Sequence, residues 1–247
     1  MSEVVFEGID VSQYNGEINF DRVRAAGKTF VMIRAGWCGY DGAIQPDTKF
    51  DANMNLAAQN GMEVGVYLYN YAKTTVAAQR AAAELLNMLK PYQVTYPVAL
   101  DMEDPLIQPL GKTALTDIAV TFLNAIEQGG YYAILYTSSA WMQSFLEAQR
   151  LTPYDWWIAD WRSTAKRQPQ WGMWQYMGSQ GRVDGVTGPC DLDRAYKDYA
   201  SIIRKNGLNH LNATNDLEKE LADAKQEAEL WKSKYDELFS GLQALLE

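Results

Sequence analysis

Five short apolar runs, VVFEGID, TFVMIRA, MEVGVYLY, YPVALDME and YYAILYTS, alternate through the first 150 residues with segments whose apolar residues recur three and four apart. The runs suit buried strands, and the spaced pattern suits helices with one apolar face. The helical segments include FDRVRAAG, DTKFDANMNLAAQNG, TVAAQRAAAELLNMLK and KTALTDIAVTFLNAIEQGG; several close on glycine, a common helix stop. Strand and helix in strict alternation imply βα units and a parallel sheet. After Leu151 the rhythm changes: WWIADW, WGMWQYM and PCDLDRAY read as strands, with loop-like connections between them. Five βα units and three closing strands make eight, enough to close an irregular TIM-like α/β barrel, and a chain of 247 residues suits that size.

In such a barrel, functional groups gather at the mouth, where the strands end. The stretch YPVALDMEDP brings three carboxylates there, and the twofold alternation of a strand turns Asp101 and Glu103 to the same side. Val98, Leu100 and Met102 then face the helices, while Ala99, Asp101 and Glu103 look inward. Asp10 closes the first strand and Asp191 falls in the last, so four acids are expected to meet in one pit. The same phase sends Arg34, Tyr67 and Tyr69 inward. Clustered carboxylates raise one another's pKa, which keeps one protonated near neutrality as a general acid while another stays ionised, the arrangement used to break glycosidic bonds. Aromatic residues near strand ends, among them Trp37, Tyr136, Trp157, Trp161, Trp174 and Tyr176, offer flat faces to sugar rings. Core packing competes for the same side chains.

Other chemistries have little to work with. A net charge of −9 argues against nucleic acid as a partner. Cys38 and Cys190 are too few for a disulfide framework and read as free buried thiols. The single histidine, His210, lies beyond the expected barrel, which removes histidine-based nucleophilic catalysis and His-rich metal sites from it. Four carboxylates suit Mg²⁺ or Ca²⁺ as well, but Arg34 pointing into the same pit disfavours a cation. No apolar run reaches the roughly 18 residues of a membrane span, so membrane insertion is not expected. The opening MSEVVFEGID lacks the basic start of a signal peptide, so synthesis in the cytoplasm is expected.

GIDVSQYNGEINF, the strand ending ALDMED, ILYTSSAW, WWIADW and WQYMGSQGRVDGVTGPCDLDRAY follow in order over about residues 6 to 200. In that order and spacing they resemble the glycoside hydrolase family 25 muramidases, also called Chalaropsis-type lysozymes. The resemblance implies an eight-stranded barrel with five βα units and three closing strands. It also implies hydrolysis of the β-1,4 bond between N-acetylmuramic acid and N-acetylglucosamine in peptidoglycan, with no metal or other cofactor. Matched residue by residue, Glu103 would be the general acid. Asp101 would assist the substrate's N-acetyl group as nucleophile or stabilise the cation directly, and Asp10 and Asp191 would complete the catalytic set. Tyr69, Tyr136, Trp161 and Gln175 would line the sugar groove, with Tyr67 and Arg34 beside them as substrate-binding residues. Two positions depart from the pattern: Asn19-Phe20 stands where the family often has Asp-Trp, and Asp193 where it often has Asn. The extra acid is expected to shift the pKa values of the pit. A barrel of this kind made without a signal peptide looks like a phage endolysin, released to the bacterial cell wall by a separate protein. The alternative is a non-catalytic, carbohydrate-binding barrel with a helical assembly tail, against which the four intact acids argue.

The C-terminal segment changes character. Leu217, Leu221, Ala224, Ala228, Trp231, Tyr235, Leu238, Leu242 and Leu245 keep a 4-3-4-3 spacing, the seam of an amphipathic helix. The expected division is a catalytic barrel over 1–205, a linker over 206–215 and a helix over 216–247. That helix either packs back on the barrel or joins a second copy as a coiled coil, and its narrow stripe favours the second.

Overall fold

All eight expected strands form, and pairing of β1 (Phe6–Val11) with both β2 (Phe30–Cys38) and β9 (Asp191–Ala195) closes them into a barrel. The computed structural model describes residues 5–211 and, beyond them, Lys225, Ala228, Glu229, Trp231, Lys232, Lys234 and Tyr235. From β1 the strands run parallel through β2, β4 (Glu63–Asn70), β5 (Val98–Asp101), β6 (Ala133–Ser138), β7 (Asp155–Ala159) and β8 (Trp171–Met177). The last strand reverses: β9 is antiparallel to both β8 and β1. No helix joins β7 to β8 or β8 to β9, yet only the second connection reverses the chain. Two elements lie outside the sequence expectation. A short β3 (Ile44–Pro46) folds back on β2 as a hairpin, and α6 (Tyr199–Lys205) follows β9.

The crossover helices are α1 (Phe20–Ala25), α2 (Phe50–Gln59), α3 (Thr75–Leu89), α4 (Gly111–Gln128) and α5 (Ser139–Phe145). Local sequence starts three of them, since Asn19, Thr74 and Ser138 each accept a backbone N–H of the following first turn, as Asp198 does for α6. Their apolar stripes cover the outward residues of the strands, including Val31, Ile33, Val98, Leu100 and Met102. Inside, Phe30, Met32, Tyr67, Tyr96, Ile134, Trp157, Met173 and Tyr199 form a second apolar cluster. Gly8 makes room for it, because a Cβ there would lie 2.4 Å from the Phe30 ring.

The barrel ends later than residue 205. Asn209, buried and left-handed at φ 55°, accepts from Tyr132 N at 2.8 Å and donates to Val94 O and Tyr96 O at 2.8 and 3.0 Å. Leu211 is buried beside it and His210 meets Gly129 O at 2.9 Å, so residues 206–211 are packed structure rather than linker. Of the nine heptad positions, Ala228, Trp231 and Tyr235 are described; all three are helical and exposed. The other six, and most of the 216–247 helix expectation, lie outside the described residues. Among the described residues, no helix is long and apolar enough to cross a membrane.

Candidate active site

β5 is buried on both faces, as a central parallel strand should be, and its inward phase carries Asp101 into the barrel mouth. Met102 N continues the ladder to Tyr136 O at 3.0 Å, so Glu103 keeps the inward phase one step beyond the strand. Across the mouth, Asp10 lies directly opposite Asp191 in the β1–β9 ladder. Because β9 runs backwards, Asp191 arrives at the mouth from the beginning of its strand. Asp193 is two residues deeper, opposite Gly8, which has no side chain to separate it from Asp10.

The acids share one electrostatic environment. The charges of Asp10, Asp101 and Asp191 all bear on the buried phenol of Tyr67, and those three with Glu103 bear on Tyr136. Burial, then the charges of Asp191 and Asp104, push the Glu103 carboxyl up to about 7. Burial pushes Asp191 up to about 6. Asp101 is raised well above the usual carboxylate range by burial and by Glu103, with the Arg34 guanidinium opposing. Its buried Oδ1 has no hydrogen-bond partner. Asp10 is likewise raised, by burial and by the charges of Asp193 and Asp191. Burial pushes Asp193 up to about 8, against the Trp157 indole that donates to it, and its charge helps raise Asp10, so the two carboxyls hold a proton between them near neutrality.

Gln175 ties this acid pair to the rim. It is buried, donates through Nε2 to Asp10 Oδ2 at 2.7 Å, and accepts at Oε1 from Tyr136 Oη at 3.1 Å and Trp161 Nε1 at 3.0 Å. Trp161 is 55% exposed. Its neighbours fix it, since Asp160 accepts from Arg162 Nε at 2.8 Å and from Ser139 Oγ at 2.9 Å. Between Ser138–Ala140 and Asp160–Arg162 a groove of about 530 Å³ opens beside Glu103. A slightly larger cavity of about 600 Å³ lies between Glu17–Phe20 and Asp184–Thr187, and none of the pit's acids lines it.

The expected residues thus meet, with different depths. Tyr69, Tyr136, Trp161 and Gln175 surround the acids, whereas Tyr67 is buried edge-on to Trp157 with ring centroids 5.9 Å apart. Arg34 is held by Asp47, with Nε and Nη2 each 2.7 Å from Oδ2. Trp157 does not reach the groove: it is buried and donates to Asp193 Oδ1 at 2.8 Å. Trp174 packs against Trp171 and Tyr176 and donates to Asp160 O. Asp104, the third acid of YPVALDMEDP, takes a role the alternation alone does not assign, accepting from Tyr69 Oη at 2.9 Å and Leu106 N at 2.7 Å. A residue before proline with a short acceptor side chain is a turn signal, which identifies that second bond in advance. Both cysteines are free and buried. Among the described residues, no three His, Cys, Asp or Glu side chains are grouped to hold a metal ion.

A barrel that gathers carboxyl groups at its mouth, one poised near neutrality beside an open groove, has the architecture and chemistry of a glycoside hydrolase. Residues 9–186 match the family described as glycosyl hydrolases family 25, and the chain belongs to that family. Lysozyme M1 of Streptomyces globisporus is 29% identical over 205 residues, covering 76% of this chain and 66% of that protein. The fold is shared with the modular autolysin LytC of Streptococcus pneumoniae, at a TM-score of 0.69 and 23% identity, over 78% of this chain and 47% of that one. It is shared too with the bacterial lysozyme of Streptomyces coelicolor, at a TM-score of 0.65 and 24% identity, over 80% of this chain and 95% of that one. The chain therefore spans just under two thirds of Lysozyme M1 and about half of LytC.

Proposed function

We propose that the protein is a muramidase that hydrolyses the β-1,4 bond between N-acetylmuramic acid and N-acetylglucosamine in peptidoglycan. The observation that carries this reading is Glu103, a carboxyl raised to about 7 at the edge of an open groove, two residues from Asp101 on the same inward phase. A carboxyl of that pKa is protonated in large part near neutrality and can give its proton to the leaving glycosidic oxygen. As carboxylate, Glu103 then takes a proton from the incoming water. Asp101, two residues back on the same inward phase, accepts the substrate's acetamido N–H, aligning that group as nucleophile or stabilising positive charge at the anomeric carbon. Asp10 and Asp191 hold the far wall, and Gln175 fixes Asp10.

Family membership and likeness to Lysozyme M1 support peptidoglycan as the substrate. LytC has also been solved with a synthetic peptidoglycan ligand. On this reading the protein acts on the bacterial cell wall, and the exposed seam residues Trp231 and Tyr235 belong to a helix that pairs two barrels. Sedimentation at micromolar concentration checks the pairing, and a monomer rejects it. Digestion of purified peptidoglycan tests the activity: new muramic-acid reducing ends are expected, and release of amines without them would overturn the assignment.

A further inference from the structure

The groove beside Trp161 leaves Glu103 on one side of the mouth only. On the other side, the loops after β1, β2 and β4 carry tyrosines that the proposed chemistry does not use. Tyr14 is 81% exposed and Tyr40 51% exposed, unusual for large side chains with apolar rings. They are not scattered. The Tyr40 and Tyr71 rings meet edge-on at 6.4 Å, and Tyr71 and Tyr69 lie 5.2 Å apart. Tyr69 in turn bonds Asp104 and feels the charges of Asp101 and Glu103. An aromatic path therefore leads without a gap from the acids to the surface.

Two cations border this path. Lys73 Nζ lies 3.6 Å from the Tyr40 ring centroid, and the Arg34 guanidinium lies 4.8 Å from that of Tyr14. Arg34 is neutralised by Asp47. Lys73 is partly exposed, and among the described residues no ion pair to a carboxylate is seen for it. An ammonium without a carboxylate, set against a stacking surface in a protein of net charge −9, suits a ligand that is both ring-shaped and acidic.

We propose that Tyr14, Tyr40 and Tyr71, with Lys73 at their border, form a second saccharide-binding arm that seats a sugar residue bearing a carboxylate substituent, across the pit from Trp161. This deepens the muramidase reading and rests on it for the direction of the glycan. The arm places sugar on both sides of the acids, as cleavage within a chain requires. Its occupant is a lactyl-bearing sugar that carries no stem peptide, because only there is the lactyl carboxyl a free carboxylate rather than an amide.

Equilibrium binding to the Glu103→Gln protein, which keeps the ligand intact, tests the arm with two probes. One is neutral chitotetraose; the other is the alternating N-acetylglucosamine and N-acetylmuramic acid tetrasaccharide with free lactyl carboxylates. Tyr40→Ala is expected to weaken both by about three- to tenfold, the range of one aromatic contact. Lys73→Met, which keeps the alkyl stem, is expected to weaken only the acidic probe and to flatten its salt dependence. Tyr14→Ala repeats the stacking test, and thermal melts establish that each variant folds. Unchanged affinities in the tyrosine variants overturn the arm, and equal losses of both probes in Lys73→Met overturn its preference for the acidic sugar. Tyrosine-dependent binding by a protein that releases no reducing ends from peptidoglycan would keep the arm and discard the muramidase reading.

Discussion

Gln175 Nε2 donates to Asp10 Oδ2 at 2.7 Å across 165 positions of sequence, while the Trp161 indole, on the rim, donates to the same amide's Oε1 at 3.0 Å. One buried amide thus sets the orientation of a deep acid and of a groove wall together. A carboxylate in its place keeps the acceptor for Tyr136 and Trp161 but loses the donor to Asp10 and adds charge to a site already crowded with it. Gln175→Glu is expected to lower stability by about 3 kcal/mol, in line with an uncompensated buried charge. It should also reduce turnover at pH 7 more than tenfold. Urea denaturation and reducing-end assays on the same preparations check both, and wild-type values in either would dismiss the amide as a shared support.

Asp193 makes a prediction about stability. It is fully buried, accepts from Trp157 Nε1 at Oδ1, and its Oδ2 has no hydrogen-bond partner. The native pair holds a proton that two unfolded carboxyls, near 3.8, would release. Between about pH 5 and 8 the native state therefore binds more protons than the unfolded state, and stability falls as pH rises, by up to about 1.4 kcal/mol per pH unit for each such proton. Glu7 and Asp160, whose pKa values are lowered by burial-opposing partners such as Arg194 and Arg162, act below that window. Asp193→Asn keeps the acceptor for Trp157 and supplies an amide donor to Asp10. Its melting temperature at pH 8 should exceed wild type, and the decline from pH 5 to 8 should be shallower. An identical decline in both proteins would mean that the pair carries no shared proton.

For Glu103 the sign concerns rate. The proton needed by the leaving oxygen is lost as pH rises through about 7, so kcat should fall tenfold per pH unit above that value. Glu103→Gln is expected to cost about a thousandfold and to abolish that limb. A pH-rate series on soluble glycan decides it. A variant retaining the alkaline limb would move the acid to another residue.

Much of this was legible because strand alternation is a local rule. Val98, Leu100 and Met102 outward with Asp101 and Glu103 inward needs only the twofold period, and the same period turns Arg34, Tyr67 and Tyr69 inward. Depth and direction are not local. In WWIADW nothing in the spelling separates Trp157, buried against Asp193, from Trp161, exposed at the rim; the difference is that Trp157 lies within β7 and Trp161 past its end. Nor does a strand pattern carry its direction. The reversal of β9 is what carries Asp191 to the mouth, and the missing helix before it is no guide, since β7 and β8 also lack one between them and run parallel. Asp193 is visible in the sequence as an extra acid, but its partnership with Asp10 depends on Gly8 opposite it.

The same limit applies to where the barrel ends, and Asn209 tests it. The sequence alone places a linker over 206–215, because Asn-Ala-Thr-Asn-Asp ahead of the heptad stripe offers linker and N-cap chemistry. The structure instead uses Asn209 to satisfy three backbone groups, Tyr132 N, Val94 O and Tyr96 O, at the start of β6 and the approach to β5. Asn209→Asp tolerates the left-handed backbone and preserves the acceptor for Tyr132, but it removes both donors and turns a carboxylate toward two carbonyls. A loss of about 2–4 kcal/mol is expected for a buried polar network broken this way. Binding of chitotetraose should stay unchanged at temperatures where the variant is folded, because the substitution lies at the opposite end of the barrel from the acids. A variant as stable as wild type would return residues 206–211 to the linker.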